Sequence, residues 1–135
     1  MRQIVTSAKL AFVATVCEDG SPNLSPKGSV RVYDDDHLVF MNMASPRTAE
    51  NLRHNPRVEV NVIDFLLRRG YRFKGTAEIR EEGDPVYDWS RQWVLNPRRS
   101  HLPVPRGRTH SGGPGAAGGL SRVHVRARER GRPEA

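Results

Sequence analysis

HLVFMNMASPRTAENLRHNPRVEVNV, residues 37–62, contains the change of period that decides the fold. Residues 37–43, HLVFMNM, form a short apolar run of strand length. Ser45-Pro46 then reads as a helix start, with serine at the N-cap and proline at the first helical position. Ala49 and Leu52 give the helix a small apolar stripe. Asn55-Pro56 ends it, because the residue before proline is pushed out of the α region. Val58, Val60 and Val62 alternate with Glu59 and Asn61, which is a strand. One short helix lies between two strands.

Upstream, residues 10–17, LAFVATVC, are apolar on both alternating faces and read as a strand buried on both sides. Asp19-Gly20 is a tight-turn signal. A second extended segment covers residues 23–33, and Asp34-Asp35-Asp36 breaks it as a solvated turn. Downstream, Tyr71, Phe73, Gly75, Ala77 and Ile79 alternate with charged or hydroxyl residues, a strand with one wet face. Gly83-Asp84-Pro85 starts a second helix whose buried face is Val86, Trp89 and Trp93. With an alternating stretch near 122–127, this makes six extended segments and two helices.

The net charge of +7 is unevenly spread. Residues 1–95 hold 13 Lys plus Arg and 13 Asp plus Glu, so they are neutral. Residues 96–135 hold 9 Arg and 2 Glu, the whole excess. The same stretch has no Phe, Tyr, Trp, Ile, Met, Lys or Asp, and holds 7 of the 12 glycines and 5 of the 10 prolines. Such chain buries too little apolar area to offset its ordering entropy. Its composition is also that of GC-rich codons read out of frame. The expected division is therefore a folded domain over 1–95 and an Arg/Gly/Pro-rich tail over 96–135. The tail is disordered or aberrant, as a frameshift would leave it, except for a last strand near 122–127. The basic tail is the one nucleic-acid signal, and its lack of interleaved aromatics argues against that partner.

No apolar run reaches the length of a membrane span, and the first residues lack a signal-peptide cleavage site. A single cysteine, Cys17, excludes an internal disulfide and fits a cytoplasmic setting. The five histidines, 37, 54, 101, 110 and 124, show no metal-ligand spacing, so no metal site is expected.

Two segments carry chemistry. Ser45-Pro46-Arg47-Thr48 sets two hydroxyls and a guanidinium at a helix N-terminus, where unpaired N–H groups and the macrodipole favour an anion. In Asn23–Arg31, Lys27, Ser29 and Arg31 share one strand face at period two, opposite Val30 and Val32. Gly28 in that segment admits a ligand or a backbone at close range. The hairpin return from Leu38 to Met43 brings the two segments together, so that Lys27 and Arg47 converge on one phosphate.

These motifs, in this order, resemble the pyridoxamine 5′-phosphate oxidase-like FMN-binding split barrels. The resemblance rests on ATV-x-x-DG-x-PN-x-SPKG, DD-x-L-x-F, SPRT-x-x-NL-x-x-NPRV-x-VNV and GYRFKG-x-A, from about Leu10 to Ile79. It implies a mainly β fold, a six-stranded antiparallel split barrel that forms a homodimer with FMN between subunits. It further implies that Lys27, Arg47 and Thr48 hold the 5′-phosphate, with Ser45 at the helix start and Gly28 beside it. Ser29 and Arg31 are then secondary phosphate or ribityl contacts, and Met41 and Asn42 lie along the isoalloxazine ring. The implied function is flavin-dependent hydride transfer with an unidentified small substrate, and no residue is nominated as catalytic. The alternatives within the same fold are an F420-dependent reductase, for whose polyglutamate tail Arg68, Arg69 and Arg72 are available, and a non-enzymatic flavin or haem carrier.

Overall fold

The computed structural model describes residues 5, 8, 10–95 and 121–129; side chains are described as far as Gln92. Among the described residues, seven strands and two helices with stated bounds follow one another. β1 is Ala11–Val16, β2 Pro22–Lys27, β3 Arg31–Val32 and β4 His37–Asn42. Helix α1 is Pro46–His54, β5 Arg57–Asp64 and β6 Arg69–Arg80. Helix α2 is Pro85–Leu95, and β7 is Ser121–Glu129. All pairings are antiparallel, in the order β2-β1-β5-β6-β7-β4-β3. The strands at the two ends of that order, β2 and β3, are consecutive in the chain. The sheet therefore returns on itself through residues 28–30, and the architecture is a mainly β split barrel. β2 terminates the order and carries two prolines, Pro22 and Pro26, which only an edge strand tolerates without losing ladder bonds.

The strand count is seven rather than six because the segment 23–33 is not one strand. It breaks at Gly28–Val30 into β2 and β3. Val30 turns into the core, 3% exposed. Extending the β3–β4 register of Arg31↔Val39 by two residues puts Ser29 opposite Met41. There the Ser29 side chain takes over from the backbone: its Oγ accepts from Met41 N–H at 3.0 Å and donates to Met41 C=O at 3.2 Å.

The barrel interior is filled from alternate positions. Val13, Phe40, Val60, Val62 and Phe73 are at most 2% exposed and belong to one cluster. Each such side chain contributes about 1.5–3 kcal/mol by leaving water. α1 adds Leu52 to this cluster, and Ala49 is buried beside it. α2 forms a second cluster with Val86 and Trp89 against Tyr33 and Val39, and the Tyr33 and Trp89 rings meet edge to face at 5.1 Å. The side chain of Trp93 lies outside the described residues. Asp84 starts α2, its carboxylate accepting from Val86 N–H at 2.8 Å.

β7 is the segment of the C-terminal stretch that alternates. It lies between β6 and β4, with Val125 in register with both Ala77 and Leu38. The remaining expectations for 96–135 fall on residues outside those described.

Candidate functional site

Lys27 ends β2 with its side chain turned inward, 6% exposed. Its Nζ donates to Asn42 Oδ1 at 3.0 Å and to Ser45 Oγ at 2.7 Å. The Phe40 ring centroid lies 6.0 Å away. Both hydrogen-bond partners are neutral, and among the described residues no carboxylate pairs with this ammonium. Burial pushes its pKa below the ordinary lysine value. A buried cation without a counter-charge is costly. An anion arriving beside it would offset that cost.

Ser45 is the N-cap of α1 by position, but its hydroxyl does not cap the helix. The reason is competition: Lys27 donates to Ser45 Oγ, and Ser25 Oγ lies 2.9 Å from the same atom. The Ser45 carbonyl accepts from Thr48 N–H at 3.1 Å and from Asn42 Nδ2 at 2.8 Å. The start of α1 is thus tied to β2 and β4 by four side chains. Pro46 supplies no N–H, and Arg47 stands exposed at the first turn. The first turn has no acidic residue, whereas Arg53 and His54 sit in the last, so the positive end of the dipole is uncompensated. Arg47 also acts on the β1–β2 turn. Asp19 there is held below the ordinary carboxylate value, first by the Ser21 hydroxyl and then by Ser21 N–H, with the Arg47 charge a smaller contribution.

A second group of polar side chains lies behind this first turn. Thr15 on β1 and Asn23 on β2 are in register. Thr15 Oγ1 accepts from Asn23 Nδ2 at 3.1 Å and from Asn51 Nδ2 at 3.0 Å. Asn23 Nδ2 also reaches Thr48 Oγ1 at 3.5 Å, and Asn51 Nδ2 reaches Cys17 Sγ at 3.5 Å. Thr15, Thr48 and Asn51 are no more than 4% exposed.

The structure therefore brings together Lys27, Asn42 and Ser45, with Arg47 and Thr48 on the same helix start. It does not make one cationic face of Lys27, Ser29 and Arg31. The strand break at Gly28 ends the period, so Ser29 binds Met41, and Arg31 Nη1 donates to Val30 C=O at 2.7 Å. Met41 is 5% exposed, and both its backbone groups are engaged by Ser29. Gly28 is exposed at the bend. The residues that share Lys27's face are Asn23 and Ser25, which precede it at period two. That signal stands in the sequence, at period two before Lys27. Asn51 likewise follows Thr48 by three residues, which places both on one side of the helix.

Comparison with known proteins agrees with this architecture. The chain is 30% identical over 82 residues to the uncharacterized protein MJ0282 of Methanocaldococcus jannaschii, covering 56% of this chain and 52% of that one. It thus spans about half the length of that curated relative. The crystal structure of HupZ from Group A Streptococcus superposes with a TM-score of 0.70 at 28% identity, covering 95% of this chain and 86% of that chain. An F420 reductase superposes with a TM-score of 0.64 at 21% identity, covering 95% and 93%, a likeness of fold. The family described as pyridoxamine 5′-phosphate oxidase matches residues 1–107. That match runs through β1 to β6 and both helices, and the chain belongs to the pyridoxamine 5′-phosphate oxidase-like family.

Proposed function

We propose that this protein binds FMN by its 5′-phosphate at the start of α1 and acts as a flavin-dependent oxidoreductase on a small substrate. The observation that carries the reading is Lys27, a buried ammonium whose hydrogen-bond partners are both neutral. The donors around it suit a phosphate: a lysine, two hydroxyls and a helix N-terminus that carries Arg47. Lys27 would supply the fixed charge, Ser45 and Thr48 hydroxyl contacts, and Arg47 an outer, solvent-facing clamp. Asn42 orients Lys27 through its Oδ1 and ties the site to β4. Bound flavin supplies hydride transfer; the protein supplies binding, orientation and exclusion of water.

A homodimer with the cofactor between subunits belongs to the same proposal. Its support is the β5–β6 hairpin tip, where Phe65, Leu66 and Leu67 are 83%, 86% and 62% exposed. A row of register partners, Lys27–Ala11–Val62–Tyr71, links that hairpin to the Lys27 end of the sheet. Consecutive large apolar side chains in water mark a contact surface, and a second copy of the chain is the occupant proposed.

The test is absorbance from 350 to 500 nm of purified protein with added FMN, beside K27A and R47A. A bound-flavin spectrum weakened by both substitutions supports the reading. Equal FMN binding by wild type and K27A overturns it. F420 in the same groove is the second reading, supported by the fold likeness to an F420 reductase and by exposed Arg68 and Arg69. Arg72 is a weaker contributor, since it pairs with Glu59 at 2.9 Å. Tighter binding of F420 than of FMN would favour that reading.

A further inference from the structure

We propose that Thr15 and Asn51 are positioning residues for the phosphate site, although neither contacts the Lys27 ammonium. The proposal rests on the phosphate reading above and adds what sets the helix start over Lys27. Two polar points within 3.1 Å attach α1 to the barrel, besides the longer Asn23–Thr48 contact at 3.5 Å. One is Ser45, bound to Ser25 and Lys27. The other is one turn and a half further on, where Asn51 donates to Thr15 Oγ1 at 3.0 Å.

Thr15 Oγ1 receives two amide donors, one from α1 and one from Asn23 on β2. A hydroxyl oxygen has two lone pairs, so this atom is saturated as an acceptor. It joins three elements, β1, β2 and α1, within 3.1 Å. Apolar contacts alone would let the helix slide or turn, since hydrophobic burial is non-directional. Here the only buried apolar residues of α1 are Ala49 and Leu52, a small anchor. Directional bonds therefore fix its axial position and rotation. That position decides where Arg47, Thr48 and the first-turn N–H groups stand relative to Lys27. Asn23 extends the same control to Thr48, donating toward its Oγ1, so that the Thr48 hydroxyl proton remains to be donated elsewhere.

This arrangement separates ligand affinity from stability. Exchanging a buried hydrogen-bonded pair for apolar groups of like shape is nearly neutral for folding, and Asn23, the other donor to Thr15, is half-exposed and keeps Thr48 Oγ1 and solvent as acceptors. The experiment measures dissociation constants for FMN and for riboflavin, which lacks the phosphate, together with the melting temperature. The variants are T15V, T15S, N51L and T15V/N51L, with K27A as reference. The expected result is a loss of roughly tenfold in FMN affinity for T15V and N51L, the size of one lost hydrogen bond. Riboflavin affinity should not move, T15S should bind as wild type, and T15V/N51L should melt near wild type. Equal losses for FMN and riboflavin, or no loss for either, overturn the proposal. So does unfolding of both single variants, because the pair would then serve the fold and not the site. The phosphate reading fails separately, if wild type and K27A alike bind FMN no better than riboflavin. If K27A abolishes the preference for FMN while T15V and N51L keep it, the reading stands and the positioning role is wrong.

Discussion

Ser29 Oγ occupies the place of a strand partner to Met41, accepting its N–H at 3.0 Å and donating to its C=O at 3.2 Å. The sheet thereby crosses the break between β2 and β3 without leaving β4 unsatisfied. S29A would leave a buried N–H and C=O without a partner, at a cost of about 1–3 kcal/mol. Urea unfolding at neutral pH checks this. S29T, which keeps the hydroxyl, should recover most of the loss.

Lys27 and Arg47 should differ in their effect on ligand and on fold. K27M removes a buried charge and is expected to weaken FMN binding about 10- to 100-fold, the range for a charge-assisted bond. Apo stability should change little, because relief of the buried cation offsets the lost donor to Asn42 Oδ1. R47A removes an exposed charge and should weaken binding by less than about tenfold. Fluorescence titration of FMN alongside thermal melts separates the two effects.

Gly20 stands at φ 83° in the turn between β1 and β2, with nothing within 4 Å of an added Cβ. The cost of G20A is therefore conformational alone, about 1–2 kcal/mol for an L-residue held in that region. G20N should cost less, since asparagine enters the left-handed region more readily. Denaturant midpoints of the two variants test the order.

Asp34 gives a signed pH effect. Burial alone would raise its pKa, but the Asp36 N–H and the His37 ring and backbone outweigh burial and hold it below the ordinary value of 3.8. A depressed carboxyl contributes stability that is present above that value and lost as pH falls through the folded one. D34N should be less stable than wild type at pH 7, and the difference should narrow below 3.8. Urea unfolding of both proteins at neutral and acid pH measures it.

The β5–β6 tip should govern self-association. Asp64 Oδ1 accepts from Leu66 N–H at 3.1 Å and from Leu67 N–H at 3.0 Å, so the turn is held without help from the apolar side chains. F65S/L67S is expected to keep its far-UV circular dichroism while weakening self-association at least ~tenfold. Sedimentation equilibrium reads this directly. An unchanged association constant would place the interface elsewhere.

The sequence alone determined the element order around α1, the β1–β2 and β3–β4 turns and the helix starts. Each depends on local chemistry: proline and glycine dihedrals, adjacent carboxylates, and period two or 3.6. It also made Ser45 and Arg47 visible as candidates, because polar groups at a helix N-terminus are a local feature, and Lys27, because strand period two is one as well. The strand break at Gly28–Val30 was not legible. It depends on Ser29 finding Met41, twelve residues away, through a side chain whose periodicity looks like that of any strand. Tertiary structure also decided which polar residues are buried. Thr15 and Asn51 read as ordinary strand and helix residues, and only the docking of α1 onto β1 removes them from water and joins them. Burial of Lys27 was decided in the same way: its charge is written in the sequence, but its enclosure, with no counter-charge beside it among the described residues, depends on which strands meet.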